Sequence, residues 1–131
     1  FREGVKYIKS LDLDVFFITL NKSGKHFKES TLYEDYAISD YLFHWQTQSR
    51  TTIDSPTGRR YINQRTNGSR VLLFVREGKT DQYGVTEAYT CLGLADYVKH
   101  SGSAPISIEY RLREKMPIYV LRQSNRYVDL G

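Results

Sequence analysis

The chain has 131 residues, 40% of them hydrophobic, enough apolar mass for one core and too little for two comfortable domains. Lys and Arg exceed Asp and Glu by 19 to 15, giving a formal charge of +4 and a pI near 9.2, so local clustering of cations says more than the sum. A single cysteine, Cys91, excludes an internal disulfide framework and fits a reducing cytosol, and no run reaches the roughly twenty apolar residues of a membrane span. Residues 1–131 are expected to be one domain. Opening on Phe1-Arg2-Glu3-Gly4, with neither initiator Met nor signal peptide, the chain is expected to be a fragment of a longer multidomain protein.

In chain order, the apolar spacing from Gly4 to Leu11 predicts a short helix, and Val15-Phe16-Phe17-Ile18-Thr19-Leu20 predicts a buried strand ending in the turn Asn21-Lys22-Ser23-Gly24. Ser30 is a possible N-cap for helical signal running through the aromatic block to Trp45. Arg60-Tyr61-Ile62-Asn63 is expected to pair, through the turn Asn67-Gly68, with Val71-Leu72-Leu73-Phe74-Val75, whose two apolar faces mark a central strand. Tyr89 to Gly93 and Ala95 to His100 predict two strands with a glycine kink between them, and the setting of Cys91 predicts a packed thiol. The alternation from Ile106 to Arg113 puts Ile106, Ile108, Tyr110 and Leu112 inward on a half-exposed antiparallel strand, and Pro117 opens a helix from Ile118 to Arg126. Barrels and pseudobarrels fit this inventory better than doubly wound sheets.

The functional signal lies between Leu32 and Arg76. The aromatic residues Tyr33, Tyr36, Phe43 and Trp45 run into the polar series Gln46-Thr47-Gln48-Ser49-Arg50-Thr51. From Tyr41 to Arg76 the only acid is Asp54, against Arg50, Arg59, Arg60, Arg65, Arg70 and Arg76. Aromatic rings stack on bases, planar amides read base edges, and guanidinium forks hold phosphate and guanine with two hydrogen bonds where an ammonium is a point charge. Gly58 and Gly68 would let loops approach a phosphate closely, and Lys22, Lys25 and Lys28 form a separate basic cluster. A metal-dependent nuclease is the enzymatic alternative, with Asp54 and Glu77-Gly78-Lys79 as its carboxylates and lysine. His26, His44 and His100 have no metal spacing with one another or with Cys91, so no metal is expected, and no phosphate-binding glycine motif calls for a cofactor.

Five blocks in succession carry a resemblance: Tyr33-Glu34-Asp35-Tyr36, Leu42 to Thr51, Thr57-Gly58-Arg59-Arg60-Tyr61-Ile62, Val71 to Glu77, and Tyr97-Val98-Lys99-His100-Ser101-Gly102. Together they resemble an uncharacterised-domain family found at the C-terminus of bacterial proteins that also carry a phospholipase D-type nuclease and a DEAD-type helicase. Some of those proteins are similar to type IV restriction enzymes that cut DNA carrying 5-methylcytosine. Ala88 and Cys91 depart from the family pattern, standing where it has a proline and an aromatic.

The resemblance implies a cytoplasmic bacterial protein in which this domain is the DNA reader, is not itself an enzyme, and works with nuclease and helicase domains of the same polypeptide. The expected fold is mainly β, in the α+β class: a compact SRA/PUA-like or related pseudobarrel with a few short helices. The expected partner is double-stranded DNA carrying 5-methylcytosine, with 5-hydroxymethylcytosine as a further substrate to test. The mark is read through its methyl in the groove or by extruding the nucleotide into a pocket, at a cost of a few kcal/mol of unstacking. Tyr33, Tyr36 and Trp45 would supply stacking walls, Asp35 would accept from the cytosine amino group, and His44, Gln46, Gln48 and Ser49 would complete base recognition. Arg50, Arg59, Arg60, Arg65, Arg70 and Lys25 would hold the DNA backbone. The alternatives are a pseudobarrel that reads unmodified sequence in the major groove and the metal-dependent nuclease.

Overall fold

The computed structural model describes residues 4–20, 35–64, 68–78, 80 and 82–124. Seven strands form one mixed sheet: β1 Gly4–Ile8, β2 Leu13–Thr19, β3 Tyr36–Ala37, β4 Leu42–Gln46, β5 Arg70–Arg76, β6 Thr90–Ser101 and β7 Ser107–Leu112. Their spatial order is β1-β2-β5-β6-β7-β4-β3; β2 and β5 are parallel and the other neighbours antiparallel. Two short helices, α1 Pro56–Ile62 and α2 Ile118–Ser124, accompany the sheet among the described residues, and neither is long and apolar enough to cross a membrane.

The sheet curls on itself. With β5, β6 and β7 between them, β2 and β4 would lie four strand spacings, or roughly 19 Å, apart in a flat sheet. Instead the rings of Phe16 on β2 and Trp45 on β4 meet with centroids 4.1 Å apart. Tyr61 of α1 and Tyr110 of β7 pack edge-on to Phe16 at 5.5 and 5.6 Å, an arrangement that aligns positive ring edges with negative ring faces. The protein is therefore a β-rich pseudobarrel whose interior is filled by inward residues of every long strand: Phe16, Ile18, Val71, Leu73, Val75, Leu92, Ala95, Ile108, Tyr110 and Leu112 are all buried.

Alternation assigns the two faces of the half-exposed strands. On β7, Ile108, Tyr110 and Leu112 are sealed while Ser107, Glu109 and Arg111 are wetter, as the pattern from Ile106 to Arg113 predicts. β5 occupies the predicted central place, flanked by β2 and β6. Its second face is half covered by aromatics, Phe74 stacking on Phe17 at 5.3 Å.

Five expectations are corrected. Gly4 to Leu11 is a strand and a short 3-10 turn, because β2 needs an edge partner and Gly4 through Ile8 pair with Phe17 through Leu13. The described part of the Ser30 to Trp45 block is β3 and β4, since Phe43 and Trp45 alternate inward with Leu42, His44 and Gln46 between them. Arg60 to Asn63 belongs to α1 and its C-cap, with Ser55 capping by accepting from the Gly58 N–H at 3.0 Å and Pro56 in the first turn. Tyr89 to His100 holds one long strand, β6. The glycine irregularity within it is real: Gly93 has φ of 88° where the register with β5 slips between Leu73 and Phe74. Cys91, just before that slip, is exposed rather than packed. The turn Asn21 to Gly24 lies outside the described residues.

One buried ion pair locks α1 to the barrel. Asp14, fully buried near the start of β2, accepts from Arg60 Nε at 2.7 Å and Nη2 at 2.9 Å. Burial pushes the Asp14 carboxyl above the ordinary range, the two guanidinium N–H groups pull it back, and the first effect wins. The Tyr7 ring covers the guanidinium at 3.9 Å. Removing the cation alone strands a buried charge, so Arg60→Ala is expected to cost about 3 kcal/mol in urea unfolding. Adding Asp14→Asn to that variant restores part of the loss, and strictly additive losses would show that the pair is not coupled.

The sealed phenols make a second expectation. Burial and then the Asp14 charge push the Tyr61 hydroxyl up to about 12, against a hydrogen bond from Gln48 that lowers it. Tyr110 is raised well above the ordinary value, first by burial. A raised value means that the folded state holds the proton longer than the unfolded chain does. The stability these groups contribute is whole below the ordinary phenol value of 10 and is lost as pH climbs above it, for Tyr61 up to about 12. Stability should fall by up to about 1.4 kcal/mol per pH unit for each such phenol over that interval, with the NMR ring signals of Tyr61 and Tyr110 moving to those of tyrosinate only on unfolding. Tyr61→Phe should flatten the slope; a tyrosinate signal from the Tyr61 ring itself in the folded protein near pH 10 would contradict the burial.

Candidate nucleic-acid interface

Strand directions sort the charged residues to two ends. β2 and β5 begin side by side, with Leu13 opposite Arg70, and β5 ends at Arg76 beside Thr19. The pairing of β6 with β5 stops at Ala95, and the rest of β6 runs past the start of β5 to pair with the beginning of β7, which pairs in turn with the end of β4. Gln46, the segment 47–55, α1, Arg70 and the β6–β7 turn therefore gather at one end. Arg76, Glu77 and the start of β6 lie at the other.

At the first end the segment after β4 is held by an ordered set of hydrogen bonds. Thr47, fully buried, donates its backbone N–H to Ile106 O at 3.0 Å and accepts the Ile106 N–H on its Oγ1 at 2.9 Å. Thr51 N–H donates to Gln48 O at 3.0 Å, closing a four-residue turn with Ser49 and Arg50 exposed at its two central positions. The Gln48 Oε1 accepts from the Thr51 hydroxyl at 3.1 Å, and Gln48 also hydrogen-bonds the Tyr61 hydroxyl. The β6–β7 tip is tied on alongside, with Ala104 N–H donating to Thr51 O at 2.8 Å and Ile53 N–H to Ser103 Oγ at 3.2 Å. Behind α1, the buried Gln64 donates to Ala95 O at 2.8 Å and accepts from Tyr97 N–H at 2.6 Å, bonding β6 where β5 leaves it.

The expected base-reading residues separate by role. Trp45 is a correction: it is 6% exposed and packs on Phe16, Tyr61 and Tyr110, because its inward position on β4 belongs to the core, so its ring is not a base-stacking wall. Tyr36 and His44, cross-strand partners on β3 and β4, stack on each other at 4.8 Å and are half-buried. Asp35 Oδ1 accepts from the Gln46 N–H at 2.9 Å, and Gln46 Nε2 donates to Ser107 Oγ at 3.4 Å, which fastens β3 to β4 and β4 to β7. Ser49 stands exposed at the turn, and Tyr33 lies outside the described residues.

The arginines divide in the same way. Arg50, Arg59 and Arg70 are exposed at one end, and Arg70 Nη2 also donates to Leu11 O at 2.8 Å. Arg60 is a correction, since both arms of its fork are spent on Asp14 and it works as the anchor of α1. Arg65 and Lys25 lie outside the described residues. Gly58 is explained without a phosphate, because a Cβ there would collide with the Thr52 carbonyl oxygen. Asp54 sits in the loop at the arginine end while Glu77 follows β5 at the opposite end, so the nuclease constellation is not assembled; Lys79 lies outside the described residues. Among the described residues no group of three or more His, Cys, Asp or Glu is placed to hold a metal ion.

Sequence reading missed Thr47, Gln64 and Tyr61 as the residues that shape this end. Each is a polar or amphipathic side chain within a polar or basic run, and nothing local marks it as buried. The one visible cue was Ser55-Pro56, a helix-start signal that would have turned Tyr61 toward the core.

No curated protein matches the chain. The family described as "Domain of unknown function (DUF3427)" matches residues 2–123, which include every strand among the described residues and nearly all of α2. The chain, a β-rich pseudobarrel with exposed arginines gathered at one end, belongs to the DUF3427 family.

Proposed function

We propose that this domain is the DNA-binding specificity module of a modification-dependent, type IV restriction system, recognising 5-methylcytosine in duplex DNA. One observation carries the reading: the exposed Arg50, Arg59 and Arg70 share an end of the barrel with the turn that presents Ser49. A duplex offers about one phosphate charge per 1.7 Å of axis, so cations on separate elements at one end can engage it together. In this reading Arg59 and Arg70 hold phosphates. Arg50, on a turn stiffened by Gln48 and Thr51, enters a groove, where a guanidinium fork matches the two acceptors of guanine. Ser49 beside it contacts a base edge. The Tyr36–His44 stack, on the outer side of β3 and β4, takes over from Trp45 as the aromatic contribution.

With Trp45 in the core, groove reading of the methyl is better supported than a pocket walled by that ring. Burying one methyl is worth about 0.8 kcal/mol, so the expected preference for methylated over plain duplex is only about fourfold unless shape is selected as well. The cutting and ATP-driven steps belong, in this reading, to nuclease and helicase domains of the same polypeptide.

The test is binding of the domain to matched methylated, hydroxymethylated and plain duplexes at two salt concentrations. Tightest binding to the methylated duplex is expected. Arg59→Ala should weaken both methylated and plain binding and reduce the salt slope by about 1, while Arg50→Ala should also weaken both and relax the preference for guanine at the position it reads. Equal affinity for methylated and plain versions of one preferred sequence would replace the proposal with major-groove reading of unmodified DNA. Binding to neither would end both.

A further inference from the structure

Past Ala95, β6 pairs with β7 alone, so residues 97–101 and 107–110 form a ribbon at the arginine end whose β6 strand is an open edge and whose β7 strand is backed by β4. Tyr97 and His100, three residues apart, would face opposite sides of a regular strand. The register slip between Tyr97 and Lys99 changes that, setting Tyr97 opposite Tyr110 and His100 opposite Ile108, both of which point into the barrel. The two side chains therefore share one face of the ribbon and meet, Tyr97 Oη lying 2.7 Å from His100 Nδ1. Lys99 turns the other way and pairs with Glu109 at 3.2 Å. Beyond His100 the ribbon tip, residues 101–104, is exposed and hydrogen-bonded to the segment that follows the Arg50 turn.

Holding Nδ1 fixes the ring plane and leaves Nε2 on the side away from Tyr97, on a residue that is itself exposed. Burial raises the Tyr97 phenol above its ordinary value, so near neutral pH its oxygen keeps the hydrogen it can donate. Resting on the duplex-binding reading above, we propose that His100 is a DNA phosphate contact, and that Tyr97, by donating to Nδ1, is the positioning residue that keeps the hydrogen on Nε2 aimed at a phosphate oxygen. The bulge supplies the alignment, and the bonds to the Arg50 turn bring the ribbon to the duplex that turn engages.

The experiment measures affinity of the whole chain for methylated and plain duplexes by fluorescence anisotropy, with imidazole nitrogen NMR on the same protein. His100→Ala should weaken both duplexes alike by about fivefold, a loss of about 1 kcal/mol, and His100→Gln, which restores an N–H donor, should recover most of it. Tyr97→Phe should cost about threefold in the native background and nothing in His100→Ala, because its effect passes through the imidazole. NMR should find the hydrogen on Nε2. Unchanged affinity in His100→Ala, a Tyr97→Phe loss that persists in that background, or the hydrogen on Nδ1 would overturn the inference while leaving the duplex-binding reading intact. A native chain that binds neither duplex would overturn both.

Discussion

Closure of the sheet through Phe16 and Trp45 is the constraint on which the rest of the molecule depends. Two strands separated by three others can touch only if the sheet curls, and the 4.1 Å contact between these rings, roofed by Tyr61 and Tyr110, is where it does so. That contact fixes the phase of β4: with Phe43 and Trp45 inside, His44 and Gln46 must face outward, and Thr47 becomes the last inward residue. The chain then leaves the sheet as a turn, carrying Ser49 and Arg50 into solvent beside the β6–β7 tip. The core and the proposed interface are thus consecutive positions of one strand and its loop.

A second layer of constraint comes from α1. Its position is set by Tyr61 in the aromatic cluster, by Arg60 on the buried Asp14 and by Gln64 on the bare edge of β6. Consecutive residues have opposite duties as a result: Arg60 turns inward as a structural cation while Arg59 stays on the surface. A cation spent on a buried carboxylate contributes little to a phosphate, so the basic end is less charged than a count of its arginines suggests. What it gains is rigidity, because the Gln48–Thr51 turn, α1 and the ribbon tip are bonded to one another and to the core.

Legibility in the sequence followed burial. Where one face was fully apolar, as on β2, β5 and β7, the strand and its inward residues could be read from alternation and β-branched content, and the mainly-β pseudobarrel with them. The gathering of Arg50, Arg59 and Arg70 at one end was also foreshadowed by their shared segment. Individual roles were not, because they depend on partners far away in sequence. Arg60 looks like Arg59 until Asp14, 46 residues distant, is placed beside it. Trp45 looked like a stacking ring because it borders polar residues, yet its neighbour in space is Phe16. The helix expected at Gly4 to Leu11 failed for the same reason, since β1 is specified by the strand it covers rather than by its own spacing.

The central claim is that one end of this barrel meets duplex DNA. Its most direct measurement is the change in backbone amide NMR signals as a methylated duplex is added to the domain. The account predicts shifts concentrated in residues 46–63, at Arg70 and in residues 97–106, with the far end from 76 to 90 and α2 unmoved. Shifts centred on that far end, or none with the duplex in large molar excess, would contradict it.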